Sequence, residues 1–153
     1  MHSRVLDPFC VSGVTLIERC MAKPVKFAMG LDIYGEGLEA AKKNAIAANQ
    51  AIHFVNKDAN RFVNNEMFDE IFTDMPTYAQ MKDTRALKNL YDNFFKRIHR
   101  HVLPEGYVFI YTTEISLVEK NLRLNSVYLT LLEHYDVPRG KTMAYFFIIQ
   151  VNN

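Results

Sequence analysis

The chain is 153 residues long, the size of one ordinary domain, and its 49% apolar and 23% charged residues are those of a globular protein. A formal net charge of +1 argues against a strongly basic nucleic-acid surface and equally against an acidic disordered tail. The longest apolar run, "AYFFII" at 144–149, is too short to cross a bilayer, and "MHSRVLDPF" lacks the apolar core of a signal peptide, so the reading is a soluble chain with no membrane partner. Cys10 and Cys20 fit neither a metal-ligand spacing nor a disulfide framework; they read as reduced core residues of a cytoplasmic protein, with no metal expected.

In chain order, residues 4–9 form a short buried strand stopped by Pro8, and a tight loop leads to a helix over 14–21 with Ser12 as N-cap. A strand over 25–33 precedes a helix over 36–48, where Leu38, Ala41, Ala45 and Ala48 fall at helical spacing. Strands follow at 52–56 and 68–73, and then the longest helix, from 83 to about 102, whose Leu87, Leu90, Tyr91, Phe94, Ile98 and Val102 make one apolar stripe. "PEG" at 104–106 turns the chain into a strand over 107–112. A short helix over 115–121 then leads to two long strands, 128–137 and 143–151, joined through "PRGK" as a hairpin. Alternating β and α units that end in an antiparallel hairpin give an α/β fold: a doubly wound, Rossmann-like, mostly parallel sheet in a single domain over 1–153.

Ligands of such sheets bind outside the carboxyl ends of the strands. Asp7, Asp32, Asp58 and Asp74 each close one of the first four strands, a run that packing alone does not account for. Asp32 can accept from both hydroxyls of an adenosine ribose, or it can simply complement the dipole of the next helix; the two readings are even. Asp58 can meet an adenine amine, although taken alone it reads as a solvated turn residue. Asp7 can face an ammonium group or start an Asp-Pro turn. The loop "CVSGVT" has neither the glycine count nor the spacing that a pyrophosphate needs, which argues against a dinucleotide. S-adenosylmethionine carries no phosphate; it asks for one close backbone approach and a helix N-terminus for its carboxylate.

Four segments then resemble one family. "LDPFCVSGVTLIER" is similar to the "DPFCGSGTxLIEA" motif of class I methyltransferases of the THUMP-associated RNA type, the N6-adenine-specific methylase-like group. "GLDIYGEGLEAAKKNA" and "FVNKDANRF" resemble its second and third motifs, and "FDEIFTDMPTY" stands in the place of its [DN]-x-P-[FY] catalytic motif. The resemblance runs over about 5–151. It implies S-adenosylmethionine as cofactor, with Asp7, Pro8, Cys10 and Gly13 along its methionine end, Asp32 on the ribose, Ile33 on the adenine face, and Asp58 with Ala59 on the adenine edge. It also implies Asp74, Met75, Pro76 and Tyr78 at the target base, where an acceptor side chain and a carbonyl orient an exocyclic amine.

The sequence departs from the motifs at several points. Val11 replaces a loop glycine, which strains the backbone if that position needs positive φ and narrows the pocket if it needs only close approach. Val14 stands where threonine is common, and Tyr34 replaces an aspartate. The aromatic that follows the proline in the family comes one residue late, as Tyr78 after Thr77. The upstream cofactor-lid helix and THUMP-type RNA-capturing module of the family are expected to be absent from this chain. The basic cluster "KRIHRH" at 96–101 reads as a helix C-terminal turn matched to its dipole. The expected function is methylation of an exocyclic base amine, guanine N2 or adenine N6, in structured ribosomal or transfer RNA. The alternative is a methyltransferase-like module that binds without turnover. The outer strand of the terminal hairpin offers an edge for self-association, and the oligomeric state stays open.

Overall fold

The computed structural model describes residues 3–153. Five parallel strands make most of the sheet: β1 (Ser3–Asp7), β2 (Val25–Asp32), β3 (His53–Asn56), β4 (Phe68–Asp74) and β5 (Val102–Thr112). The hairpin of β6 (Leu129–Arg139) and β7 (Thr142–Val151) joins it antiparallel through β7 against β5. The spatial order is β3-β2-β1-β4-β5-β7-β6, so the winding reverses between β1 and β4, as expected for a doubly wound α/β sheet.

Helices cover both faces. On one face α4 (Thr84–Arg97) and α5 (Ile115–Leu124) lay Leu87, Tyr91, Phe94, Phe95, Val118 and Leu122 over Ile71, Val108, Ile110, Phe147 and Ile149. On the other face α1 (Val14–Ala22) places Leu16 and Cys20 on Val5 and Ala28. The third helix, α2 (Gly35–Ala47), buries Leu38, Ala41 and Ala45. Arg19 of α1 donates from Nε to Glu70 of β4 at 3.0 Å, a pairing of two largely buried groups that ties helix to sheet. A one-turn helix, α3 (Tyr78–Met81), sits between β4 and α4.

Local detail differs from the sequence reading at three places. Gly13 rather than Ser12 is the N-cap of α1, and no side chain caps that end. The longest helix ends at Arg97 and passes through a single 3-10 turn, Ile98–Arg100, because β5 already starts at Val102. "PEG" therefore lies inside β5 as a bulge: Phe68 faces Val102 but Glu70 faces Tyr107, and Glu105 absorbs the extra chain at φ 65°.

Gly106 is fixed by that bulge. A Cβ there would fall 2.6 Å from Val102 Cγ1, 2.7 Å from Asp69 O and 2.8 Å from Leu103 O, and two of these are backbone atoms that cannot step aside. Gly106→Ala is expected to lower the melting temperature by about 3–10 °C, as overpacking costs ~1–3 kcal/mol in a domain of this size; differential scanning calorimetry reads the shift.

Candidate active site

The strand-end carboxylates meet at the reversal point. Asp7 is 1% exposed; its Oδ1 accepts the Thr73 hydroxyl at 2.6 Å and the Phe9 N–H at 3.0 Å. Its Oδ2 is buried and has no hydrogen-bond partner among the described residues. Burial pushes the Asp7 carboxyl up to about 7, the two hydrogen bonds oppose the shift, and the charges of Asp74 and Asp32 add to it. Three of the four carboxylates thus share one electrostatic neighbourhood.

Asp32 spends each oxygen on the loops around it. Oδ2 accepts the Val11 N–H at 2.9 Å and Oδ1 accepts the Tyr34 N–H at 2.7 Å. Each oxygen keeps a second lone pair that a ribose hydroxyl can use. Asp58 lies past the end of β3, where Oδ1 accepts the Asn60 N–H at 2.8 Å and Oδ2 sits 3.8 Å from Arg61 Nε. Its neighbour Ala59 joins Pro8 in lining a cavity of about 10 Å³, room for about one water. Ile33, just past the end of β2, is 58% exposed, an apolar side chain at the carboxyl edge of the sheet.

The loop between β1 and α1 holds its shape through its backbone. The Cys10 N–H donates to Leu31 O at 2.9 Å and the Gly13 N–H to Cys10 O at 2.6 Å. Gly13 takes φ 77°, a left-handed turn that also lets it pack on Ala41 and Phe54. Cys10 is buried, with its sulfur 2.9 Å from where a Cβ on Gly30 would stand, and burial pushes its thiol up. Val11 sits at φ 46°, a conformation that a β-branched residue adopts under strain, with its side chain exposed. The first turn of α1 has neither a side-chain cap nor an acidic residue, so its N–H groups remain available to an anion.

The crevice thus holds an unpaired buried carboxylate oxygen on Asp7, an uncapped helix start at α1, and free acceptor capacity on Asp32.

The second half of the site follows β4. Asp74 is solvent-accessible; partial burial pushes its carboxyl up, while Arg139 of the terminal hairpin pulls it back. Beyond it the backbone is almost fully accounted for. The Met75 N–H donates to Tyr111 O at 3.0 Å, and the Pro76 carbonyl accepts from the Tyr91 hydroxyl at 2.8 Å. The Thr77 N–H donates to Gln80 Oε1 at 2.9 Å in a capping box, and the Tyr78 N–H to Glu114 Oε1 at 2.8 Å. Thr77 O and Tyr78 O accept from the turn of α3. Met75 is itself 1% exposed, and no turn, loop or side-chain hydrogen bond of the described residues ends on its carbonyl. Thr77 is buried and Tyr78 is 51% exposed, so the one-residue offset of the motif leaves the aromatic as the side chain that faces solvent.

Tyr91, Thr73, Thr112 and Glu114 were not singled out as site residues from sequence. Tyr91 is fully buried among apolar neighbours, and a buried tyrosine needs a partner for its hydroxyl, which is the signal available. Glu114, just past β5, continues the run of acidic residues at strand ends. A cavity of about 570 Å³, lined by Ser3, Arg19, Glu70, Gly106, Tyr107 and Phe109, lies at the opposite, N-terminal edge of the parallel strands, away from Asp7, Asp32 and Asp74.

A sheet wound in this order, with its last strand pair antiparallel, is the architecture of the class I methyltransferases, whose cofactor is S-adenosylmethionine. Residues 1–144 match the family described as UPF0020: RMKL-like, methyltransferase domain, and the chain belongs to that family. Its fold is similar to that of TrmN from Thermus thermophilus, with a TM-score of 0.85 and 24% identity, covering 98% of this chain and 44% of that one. It is also similar to the N-methyltransferase NodS from Bradyrhizobium japonicum WM9 in complex with S-adenosyl-L-homocysteine, at TM-score 0.75 and 15% identity over 99% of this chain and 79% of that one. A ribosomal protein L11 methylase from Lactobacillus delbrueckii subsp. bulgaricus matches at TM-score 0.75 and 18% identity, over 100% of this chain and 72% of that one. The chain thus spans less than half the length of TrmN. Among its described residues no helix is long and apolar enough to cross a membrane.

Two outcomes follow from the loop and from Asp7. Val11→Gly removes the left-handed strain, worth ~1–3 kcal/mol, against ~0.4–1 kcal/mol of added unfolded-state freedom. The variant is expected to melt about 2–4 °C higher and to bind S-adenosylhomocysteine at least as tightly, read by calorimetry. For Asp7, an arriving ammonium favours the ionised form of a carboxyl raised to about 7. Binding is therefore expected to release about one proton at pH 6 and almost none at pH 8.5, measured as the buffer dependence of the binding enthalpy. The same sign makes Asp7 weigh against folding as pH rises from about 4 through 7, so Asp7→Asn gains more stability at pH 8 than at pH 5.

Proposed function

We propose that this chain is the catalytic domain of an S-adenosylmethionine-dependent methyltransferase that modifies an exocyclic amine of a base, guanine N2 or adenine N6, in structured transfer or ribosomal RNA. The observation that carries the reading is the acceptor pair at the end of β4: the Asp74 carboxylate and, directly after it, the Met75 carbonyl that no described residue occupies. When bound, S-adenosylmethionine supplies an electrophilic methyl group. Asp74 accepts one N–H of the target amine and Met75 O the other, which draws the nitrogen lone pair out of conjugation with the ring and aims it at the methyl. The raised affinity of Asp74 for a proton suits it to take up the one that the amine loses. Tyr78, exposed beside this pair, stacks on the extruded base, a contact worth about 1–3 kcal/mol in single-strand binders.

Asp7, Pro8, Cys10 and Gly13 hold or shape the methionine end of the cofactor pocket, Asp32 and Ile33 the ribose and the adenine face, and Asp58 with Ala59 the adenine edge. Guanine N2 has a slight advantage, because a carboxylate only accepts and guanine offers N–H groups at both N1 and N2. A net charge of +1 supplies little non-specific affinity for RNA, so capture depends on a further RNA-binding module, and the reaction takes place in the cytoplasm. The second reading, a module that binds without turnover, draws on Val11 at φ 46° in the cofactor loop.

The test is transfer of labelled methyl from S-adenosylmethionine to in-vitro-transcribed transfer RNA and ribosomal RNA fragments, with the product nucleoside identified by mass spectrometry. Asp74→Ala is expected to lower kcat by about 10²–10³-fold while the Kd for S-adenosylhomocysteine stays within twofold. Asp32→Ala is expected to lose cofactor binding. Cofactor binding by both the wild type and Val11→Gly, with methyl transfer to no RNA base by either, would favour the non-catalytic module.

A further inference from the structure

Behind the Asp74–Pro76 segment lies a chain of hydrogen bonds whose direction can be read from donor counting. The Pro76 carbonyl can only accept, so the Tyr91 hydroxyl, 2.8 Å away, must donate its single proton to it. Thr112 Oγ1 lies 2.7 Å from the same hydroxyl and therefore donates to Tyr91. Thr112 Oγ1 in turn accepts the Glu114 N–H at 3.1 Å. Every link runs one way: Glu114 N–H to Thr112, Thr112 O–H to Tyr91, Tyr91 O–H to the Pro76 carbonyl. Glu114 then closes the circuit, since its Oε1 accepts the Tyr78 N–H at 2.8 Å. Tyr91 and Thr112 are both fully buried, so no water competes for these bonds, and burial pushes the Tyr91 phenol up, keeping it a donor.

We propose that Tyr91 is a positioning residue for methyl transfer: with Thr112 and Glu114 it locks the Pro76 carbonyl inward and so leaves the Met75 carbonyl as the acceptor turned to the substrate amine. This rests on the reading of Asp74–Pro76 as the amine-binding segment. The physical point is that two consecutive carbonyls compete for one role. Rotation of the peptide between Met75 and Pro76 would swing the Met75 oxygen out of register with Asp74. The bond to Tyr91 holds Pro76, the next link, while the Met75 N–H, bound to Tyr111, holds the other side. Helix α4 and strand β5 thereby set the geometry of a segment that neither contains. Glu114 fixes Tyr78 from the same anchor, so one network orients both the amine acceptor and the aromatic.

The experiment compares Tyr91→Phe, Thr112→Val and Thr112→Ser by three readouts: amide hydrogen exchange of peptides over 74–82, the Kd for S-adenosylhomocysteine, and kcat and KM with transcribed transfer RNA and ribosomal RNA fragments. Tyr91→Phe deletes one oxygen and keeps the ring, and Thr112→Val keeps the shape. Both are expected to speed exchange over 74–82 at least about tenfold relative to β1 and β2, to lower kcat about 10–100-fold, and to leave KM and Kd within about twofold. Thr112→Ser, which restores the hydroxyl, is expected to recover most of what Thr112→Val loses. Wild-type exchange over 74–82 in Tyr91→Phe overturns the proposal, as does a loss of protection spread evenly over the whole sheet, which marks a merely structural role. If the wild type methylates no base, the proposed function falls, while the exchange comparison, which needs no substrate, still decides whether Tyr91 holds the segment.

Discussion

Between β1 and β4 the sheet reverses its winding, and at that point the chain buries a carboxyl group with one oxygen left over. Asp7 has Thr73 and the Phe9 N–H on Oδ1 and no partner among the described residues on Oδ2. Burying a polar atom without a partner costs folding free energy, on the order of 1–3 kcal/mol by mutational data. The crossover creates the crevice, the crevice exposes the strand ends, and Asp32 and Asp74 from the neighbouring strands face the same space. The charges of Asp32 and Asp74 both act on this buried group.

Two different devices hold the two halves of the crevice. The half at the β1–α1 loop is a backbone structure: the loop from Pro8 to Gly13 is pinned by the Asp32 carboxylate and by main-chain bonds to Leu31 and Cys10. It is stiff but stores strain at Val11. The half after β4 is held by side chains from elsewhere in the fold, with Tyr91 on α4 and Glu114 past β5 reaching back to a segment that follows β4. A substitution in the first half therefore acts through local dihedral angles, and one in the second through packing of the α4 face.

Much of this was legible in the sequence because the elements announce themselves by period. Buried parallel strands read as apolar runs, α4 as a stripe at helical spacing, and the carboxylates as the residues that close the strands. The winding and the positions of Asp7, Asp32 and Asp74 followed from those alone. What stayed hidden is long-range or conformational. The left-handed φ of Val11 is set by where the loop must go rather than by the residue that sits there. The start of β5 inside "PEG" depends on its partner strand, since a bulge with Pro104 and Glu105 looks like a turn until Phe68 and Val102 are seen paired. Tyr91 sat in the apolar stripe as one more aromatic, because its ring and its hydroxyl serve different ends and only the ring has a period.

Both cysteines lie in the tightly packed interior. Cys10 lies against Gly30 and Cys20 on the inner face of α1, at 5% and 6% exposure, and burial pushes both thiols away from the reactive thiolate. The native protein is thus expected to react slowly with maleimides and mild oxidants. A single cysteine placed on the surface beside the crevice would be the one reactive thiol on the molecule. A fluorophore or spin label could then follow opening of the crevice with no native cysteine replaced and the packing under Gly30 left intact.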